Sequence, residues 1–170
     1  MKKYLILLCY VCALFMSAKG FGGSKGFAPA TDPLYQKECA SCHFAYQPAL
    51  LPKTSWQEMM KNLENHYGVD ASLDEEDAQK ILEYLSANSL EHSNSKRARK
   101  IMRSINPAII YPSITQIPYF EKKHRKIPQH LINQKEVKSL ARCSACHTEA
   151  DKGIYDDKSV NIPNYGRWDD

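Results

Sequence analysis

The sequence of 170 residues predicts an all-α fold made of two lobes, on three observations. Apolar residues recur at helical spacing within residues 55–85, which is typical of amphipathic helices that cover a core. A pentapeptide of the form Cys-x-x-Cys-His occurs at residues 39–43 and again at 143–147. The second half is interrupted by prolines, and no amphipathic helix follows residue 147, so that half is predicted to be rich in loops.

The repeated pentapeptide is the attachment motif of c-type haem. Two thiols three positions apart can each add to one vinyl group of the same porphyrin, and the adjacent imidazole then reaches the iron as proximal ligand. The sequence therefore predicts two covalently bound haem c groups, each with its iron. The attaching thiols and proximal imidazoles are Cys39, Cys42 and His43 in the first motif and Cys143, Cys146 and His147 in the second.

A single Cys-x-x-Cys also suits disulfide exchange, half a zinc site or a structural bridge. A zinc site built from four thiolates would have no use for two flanking imidazoles. A redox dithiol calls for a βαβ context, and the sequence shows none. Two copies, each followed directly by His, therefore favour haem.

The N-terminus predicts export, which covalent haem attachment requires. Lys2 and Lys3 precede an apolar run at residues 4–16 that is too short to cross a bilayer as a helix. We predict a cleaved signal peptide over residues 1–20, a flexible mature terminus over residues 21–31 and a periplasmic location. An uncleaved membrane anchor is the alternative.

Two further cysteines, Cys9 and Cys12, lie inside the apolar run and are followed by Ala13, so they do not form a third motif. The formal charge of +4 includes three lysines of the predicted signal peptide. Without them 20 basic residues face 19 acidic ones, and four haem propionates would make the protein net negative. The charge therefore gives no support for a nucleic-acid partner.

The predicted lobes follow from the order of the elements. We predict an N-terminal haem lobe over residues 32–90, a polar and basic connector over residues 91–104, and a second haem-binding lobe over residues 105–170 that packs on the first. Basic residues at 96–100 suit either a solvated helix face or a docking patch for an acidic partner or for haem propionates. His92 in the connector is predicted to be exposed.

In the first lobe, Asp32 is predicted to cap a helix that starts at Pro33 and runs into the first motif. The loop at residues 44–52 is expected to wrap the haem edge. A carbonyl in this loop, near Pro48, is a candidate acceptor for the Nδ1 proton of His43, although the loop residues could equally serve only for packing.

A helix capped by Ser55 is predicted to end at Gly68, with His66 in its last turn. A second helix is predicted to open at a capping box, Ser72-x-x-Glu75, and to carry its apolar face through Leu85. Helix, haem motif, loop, helix, ligand loop and closing helix is the order of a class I cytochrome c. The place of that family's sixth ligand is held here by His66.

The rivals of His66 are Met59 and Met60, which lie at core spacing in the middle of the predicted helix, so the helix-end position favours His66. In the second lobe, a short helix that starts at Pro118 delivers His124, and His130 follows after Pro128. These two histidines are the candidates for the second distal ligand.

A helical approach to Cys143, formed by residues 137–141, is also predicted in the second lobe. Its spacing echoes the approach to Cys39 in the first lobe.

Taken together, these features resemble the bacterial dihaem cytochrome c family, whose members donate electrons to the sphaeroides-type haem protein, an oxygen-binding monohaem cytochrome. The residues that carry the resemblance are Tyr35, Cys39, Cys42, His43, Pro48, Leu51, Pro52, Ser55, Trp56, Met60, Leu63, His66, Ala71, Ser72, Leu73, Asp74, Ile81, Tyr84, Leu85, Asn88, Ile114, Thr115, Pro118, Phe120, His124, Cys143, Cys146, His147, Ile162 and Pro163.

The resemblance implies a class I cytochrome c-like N-terminal lobe, a loop-rich C-terminal haem lobe, and two low-spin haems that are each ligated by two His. Matched by position, His66 and His124 would be the distal ligands. The implied partners are a redox protein such as the monohaem cytochrome and a membrane cytochrome b-type donor. The stretch at residues 91–103 and the terminus at residues 167–170 depart from the family pattern.

Iron with two His ligands has no open position for a substrate, and without a Met ligand its potential should be low. The sequence therefore predicts electron transfer and not catalysis. A dihaem peroxidase, the enzyme alternative, usually has about twice this mature length, as two domains. A haem-based redox or gas sensor would require an output domain, and none is visible.

Overall fold

The computed structural model describes residues 26–168 and confirms a mainly helical protein. The α-helices of this part of the chain are α1 (Pro33–Cys39), α2 (Lys53–Lys61), α3 (Glu75–Ala87), α4 (Lys96–Met102), α5 (Pro118–His124) and α6 (Gln129–Asn133). Near the end of the described part, β1 (Asn161–Ile162) pairs antiparallel with β2 (Gly166–Arg167). The predictions for residues 1–20, including those for Cys9 and Cys12, lie outside the described residues.

Helix α1 starts as the sequence predicts. The Asp32 carboxylate accepts a hydrogen bond from the Tyr35 N–H at 2.8 Å, and Pro33 occupies the first turn, where its missing N–H has no helical partner to lose. The helix ends at Cys39, so it delivers the first thiol of the motif.

Helix α2 starts three residues earlier than predicted, with Pro52 and not Ser55 at the cap, and it ends at Lys61 rather than at Gly68. Ser55 is buried within the first turn, and its Oγ accepts a hydrogen bond from the N–H of Tyr111 at 3.1 Å. Its hydroxyl thus serves a distant segment and not its own helix end. A 3-10 turn at Leu63–Asn65 follows, and His66 comes directly after it.

Helix α3 is capped by Asp74 and not by Ser72. The Asp74 carboxylate accepts from the Asp77 N–H at 3.0 Å, while the N–H of Ser72 donates to Asp70. Acidic residues fill the first turn, where they complement the helix dipole. The helix packs against α2 and α1 through a face that includes the fully buried Ile81.

One hydrophobic core joins both predicted lobes. Trp56 and Leu85 from the first lobe belong to the same buried cluster as Ile117 and Tyr155 from the second. Helix α4, in the predicted connector, adds Ala98 and Ile101, both 0% exposed. The basic segment is therefore one face of a docked amphipathic helix, and α4 packs against α5. The predicted lobe boundaries stay predictions.

Buried polar groups also link the two halves. The side chain of Gln47 is 0% exposed; its Nε2 donates to the Ala150 carbonyl at 2.7 Å and its Oε1 accepts from the Tyr155 hydroxyl at 2.7 Å. The Tyr46 hydroxyl donates to the Ala141 carbonyl at 2.6 Å. These hydrogen bonds hold the loop that follows the first motif against the segments that flank the second motif. The bonds of Gln47 matter because leaving a buried amide unpaired costs free energy.

The predicted flexible terminus does not extend through residues 26–31. Phe27 is 2% exposed, its N–H donates to the Gly153 carbonyl at 2.8 Å, and its ring meets Tyr155 edge-on. Gly153 has φ +76, and a Cβ there would lie 2.2 Å from the Phe27 carbonyl oxygen. A glycine is thus required for this close approach.

The helical approach predicted before Cys143 is absent. Residues 137–142 form successive turns, with Lys138 at φ +68, which interrupts a helix. As predicted, no closing helix follows the second motif within the described residues. Instead the N–H of Asn161 donates to the Cys146 carbonyl at 3.1 Å, which ties the β-hairpin to the motif.

Within residues 26–168 no helix has both the length and the apolar character needed to cross a membrane.

Candidate functional site

The first motif leaves the C-terminal end of α1 and turns its imidazole toward the ligand loop. Nδ1 of His43 lies 2.8 Å from the carbonyl oxygen of Phe44. The predicted acceptor near Pro48 is wrong, because the Pro48 carbonyl accepts from the Trp56 indole N–H at 2.8 Å. The prediction that a carbonyl of this loop would meet Nδ1 is confirmed, and Nε2 of His43 remains for a metal.

His66 lies opposite His43. Their ring centroids are 6.2 Å apart, and the ring planes make an angle of 40°. A tight turn holds His66 there: its N–H and carbonyl both pair with Val69, and Tyr67 and Gly68 have positive φ. Partial burial and the nearby His43 lower the pKa of His66, which favours the neutral form that ligates metal.

The second motif opens into a cleft between α5, α6 and the β-hairpin. The cleft spans about 920 Å³ of empty space when the open solvent at its mouth is included. Phe120, Ile127, Leu131 and Ile162 supply apolar walls.

His124 and His147 face each other across this cleft. Their ring centroids are 6.3 Å apart with an interplanar angle of 80°. Nδ1 of His124 lies 2.8 Å from the Phe120 carbonyl oxygen, one turn back on α5. Burial, followed by the nearby His124, lowers the pKa of His147 to about 4, so this imidazole stays neutral at physiological pH.

The second proximal imidazole differs from the first in its surroundings. Nδ1 of His147 is buried and has no hydrogen-bond partner among the described residues. Its ring instead makes an edge contact with Tyr155 at 5.4 Å between centroids. Packing against Tyr155 thus helps to orient the His147 ring.

The ring spacing of both pairs fits one metal ion between two imidazoles. A metal–imidazole bond of about 2 Å, with each ring nitrogen about 1.1 Å from its ring centroid, places the centroids about 6.2 Å apart. The two pairs stand at 6.2 and 6.3 Å. Each pair includes the histidine of one attachment motif, so the donor sets would suit two haem irons, each held by two His.

Three of the motif cysteines, Cys39, Cys143 and Cys146, have surroundings that raise the thiol pKa and so disfavour the thiolate. Burial, and then the charge of Glu38, raises the pKa of Cys39 to about 11; burial raises the pKa of Cys143 to about 11. Reactive redox dithiols have lowered pKa values, so these thiols do not match that class. Within residues 26–168 no group of three or more His, Cys, Asp or Glu is placed to hold a lone metal ion.

The rival residues lie elsewhere. Met59 and Met60 are partly buried and pack against the hydrophobic core. His130 is exposed on α6. His92 is exposed as predicted, and its Nδ1 lies 3.1 Å from the Ser89 hydroxyl.

Several residues that reach the second cleft from distant segments carry no local signal in the sequence. Tyr155 packs on His147, and Asp157 joins Arg97 and Lys123 at the edge of the cleft. No local spacing marks these contacts, because Arg97 and Asp157 are separated by most of the second half of the chain. The basic segment of α4 was the only available signal.

The fold and the paired motifs define a small helical c-type cytochrome with sites for two haems. A family model described as dihaem cytochrome c matches residues 35–155. This chain therefore belongs to the dihaem cytochrome c family, and electron transfer is the activity that the family implies.

Solved structures agree. The diheme cytochrome type c of Shewanella baltica OS155 is 38% identical, with a TM-score of 0.66, and the alignment covers 81% of this chain and 97% of that one. A diheme cytochrome c from Rhodobacter sphaeroides is 38% identical, with a TM-score of 0.67, over 75% of this chain and 99% of that one. A second Rhodobacter sphaeroides structure is 36% identical, with a TM-score of 0.59 and the same coverage. No match was found among curated proteins.

Proposed function

We propose that this protein carries electrons through two covalent, low-spin, low-potential haems, each with two His ligands. The observation that carries the proposal is the pair of facing imidazoles at each motif, spaced for one iron. The proposed proximal–distal pairs are His43 with His66 and His147 with His124. The thioether bonds would form at Cys39 and Cys42 and at Cys143 and Cys146.

The chain's own groups prepare these ligands. The carbonyls of Phe44 and Phe120 accept the Nδ1 protons of His43 and His124, which leaves Nε2 of each ring for iron and fixes the ring orientation. Burial keeps His147 neutral. Bound haem would supply one-electron ferric–ferrous chemistry, and two His ligands would leave no iron position for substrate.

The two sites are joined by a short, packed region. Tyr46 stacks near His43, with ring centroids 4.7 Å apart, and its hydroxyl bonds to Ala141, two residues before Cys143. This contact supports electron exchange between the two haems within one protein.

We further propose a periplasmic protein that exchanges electrons with a monohaem cytochrome of the sphaeroides type and with a membrane cytochrome b-type donor. The solved relatives and the paired motifs support this proposal, since covalent haem attachment accompanies export. Exposed basic residues of α4 and α5, the helices that bring Arg97 and Lys123 to the second cleft, suit an acidic docking surface; they include Lys96, Lys100 and Lys122.

Intact mass and a carbon monoxide titration test this function. Protein matured with a cytochrome c assembly system should carry two haem masses. Its ferrous spectrum should not change on addition of carbon monoxide at neutral pH, because both irons are saturated by His. One haem, or a Soret shift that reports an open iron, would contradict the proposal; an open iron would favour an enzyme or a sensor.

A further inference from the structure

Three charged side chains from separate segments meet at the edge of the second cleft. Lys123 Nζ lies 2.9 Å from one carboxylate oxygen of Asp157, and an Arg97 guanidinium nitrogen lies 3.8 Å from the other. The Arg97 side chain is only 15% exposed. All three residues line the cleft that contains His124 and His147.

A guanidinium this deeply placed needs anionic groups around it, because transferring a charge out of water is costly. Partial burial alone would raise the pKa of the Asp157 carboxyl, but Lys123 and Arg97 hold that pKa below its usual value. In this cluster, the two cations Arg97 and Lys123 therefore lie around the carboxylate of Asp157.

Only one part of a haem is anionic, its two propionates, and these stand on the pyrroles away from the vinyl groups that form thioethers. Three cations line the cleft: Arg97, Lys123 and Arg142. Arg142 directly precedes Cys143 and so belongs to the thioether edge. Arg97 and Lys123 come from α4 and α5 and remain as partners for the opposite edge.

We propose that Arg97 and Lys123 bind the propionate carboxylates of the haem at the second motif, with Asp157 positioning the two cations. This inference rests on the proposed dihaem function. Guanidinium binds carboxylate through two parallel hydrogen bonds, and lysine adds a point charge. Arg97 is the residue that gives the basic segment of α4 a role at the cofactor, while the neighbouring basic residues stay at the surface.

The proposed contacts of Arg97 and Lys123 should also affect the haem potential. A fixed positive charge beside the haem disfavours the ferric state relative to the ferrous state, since the ferric state carries one more positive charge. Replacing Arg97 by Gln should lower the midpoint potential of one haem. The expected change in the ferrous-to-ferric ratio at fixed potential is about tenfold, or about 59 mV for a one-electron couple.

The test compares holoprotein variants by spectroelectrochemistry and by resonance Raman spectroscopy of the propionate bending bands. R97Q should lower one midpoint, leave the other unchanged and shift a propionate band. The matched control is R99Q on the same helix, where the exposed Arg99 bonds to the Asn94 carbonyl; it should change neither. R97K should leave the midpoint potential close to that of the unmodified protein and should shift the propionate Raman band. Lysine retains the positive charge but lacks the planar guanidinium that makes two parallel hydrogen bonds.

An unshifted propionate band in both R97Q and R97K would overturn the inference, even if a midpoint moved, because the charge would then act without contact. If R97Q does not mature, the R97K spectrum decides the question alone. Failure of the underlying function is distinguishable: the unmodified chain would then carry fewer than two haems.

Discussion

The two histidine pairs have nearly the same ring spacing, yet the chain builds them in different ways. Around His43 and His66, consecutive elements α1, α2 and a tight turn form the site, and a carbonyl fixes the proximal imidazole. Around His124 and His147, the walls come from α4, α5, α6 and the β-hairpin. The first site is therefore largely local in sequence, whereas the second depends on contacts between distant segments.

This difference also separates their polar surroundings. The C-terminal pair stands beside a cluster of Arg97, Lys123 and Asp157, and its proximal Nδ1 has no acceptor among the described residues. The N-terminal pair lies beside an exposed turn at Tyr67. Similar ligands in unlike settings give a protein two ways to tune two haem potentials.

Removing a distal ligand gives the largest expected effect on this comparison. His66→Ala and His124→Ala should each open one iron, so carbon monoxide should bind about half of the ferrous haem while the other half stays low-spin. Titration of the Soret band measures the fraction.

The matched controls are His92→Ala and His130→Ala, which remove exposed histidines and should leave carbon monoxide binding absent. If His130→Ala opened a haem and His124→Ala did not, the second pairing would be incorrect while the electron-carrier function survived.

The glycines near each site should differ in their tolerance of a side chain. Gly153→Ala forces a Cβ against the Phe27 carbonyl at a positive φ, so the free energy of unfolding should fall by more than about 2 kcal/mol. Gly68→Ala has positive φ but no atom within 4 Å of the new Cβ, so about 1 kcal/mol is expected. Guanidinium denaturation followed by circular dichroism gives both values. Equal losses would mean that the Phe27–Gly153 contact does not stabilise the protein.

Removing the Tyr155 hydroxyl, which links the two halves of the chain through Gln47, should lower the free energy of unfolding by a smaller amount. Tyr155→Phe leaves Oε1 of the buried Gln47 without its donor and should cost about 1–2 kcal/mol of unfolding free energy. Tyr165→Phe, at a position that is 57% exposed, is the control and should cost little. A neutral Tyr155→Phe would show that Gln47 finds another partner.

Sequence patterns were most accurate for structural elements that depend on adjacent residues. The Asp32 cap and the short helix from Pro118 to His124 follow from adjacent residues, and both are present. The start of α2 was missed because the Ser55 hydroxyl serves Tyr111, 56 positions away, where no helix-cap rule applies.

The same limit holds at the candidate sites. His66 is placed by the order of neighbouring elements, so sequence alone could single it out. His124 could not be separated from His130 by local pattern, and only the family resemblance favoured it. Arg97 and Asp157 meet through the packing of α4 and the segment before β1, which no spacing encodes.

Low-temperature electron paramagnetic resonance of the fully ferric protein gives the sharpest test of the proposal that two irons are each held by two His in unlike geometries. Ring planes at 40° split the iron dπ orbitals and should give a rhombic low-spin signal, whereas planes at 80° leave these orbitals nearly degenerate and should give a highly anisotropic one. Both signals are expected in equal amounts. A high-spin signal of one spin per protein, or low-spin intensity from a single haem, would be evidence against bis-histidine ligation of both irons.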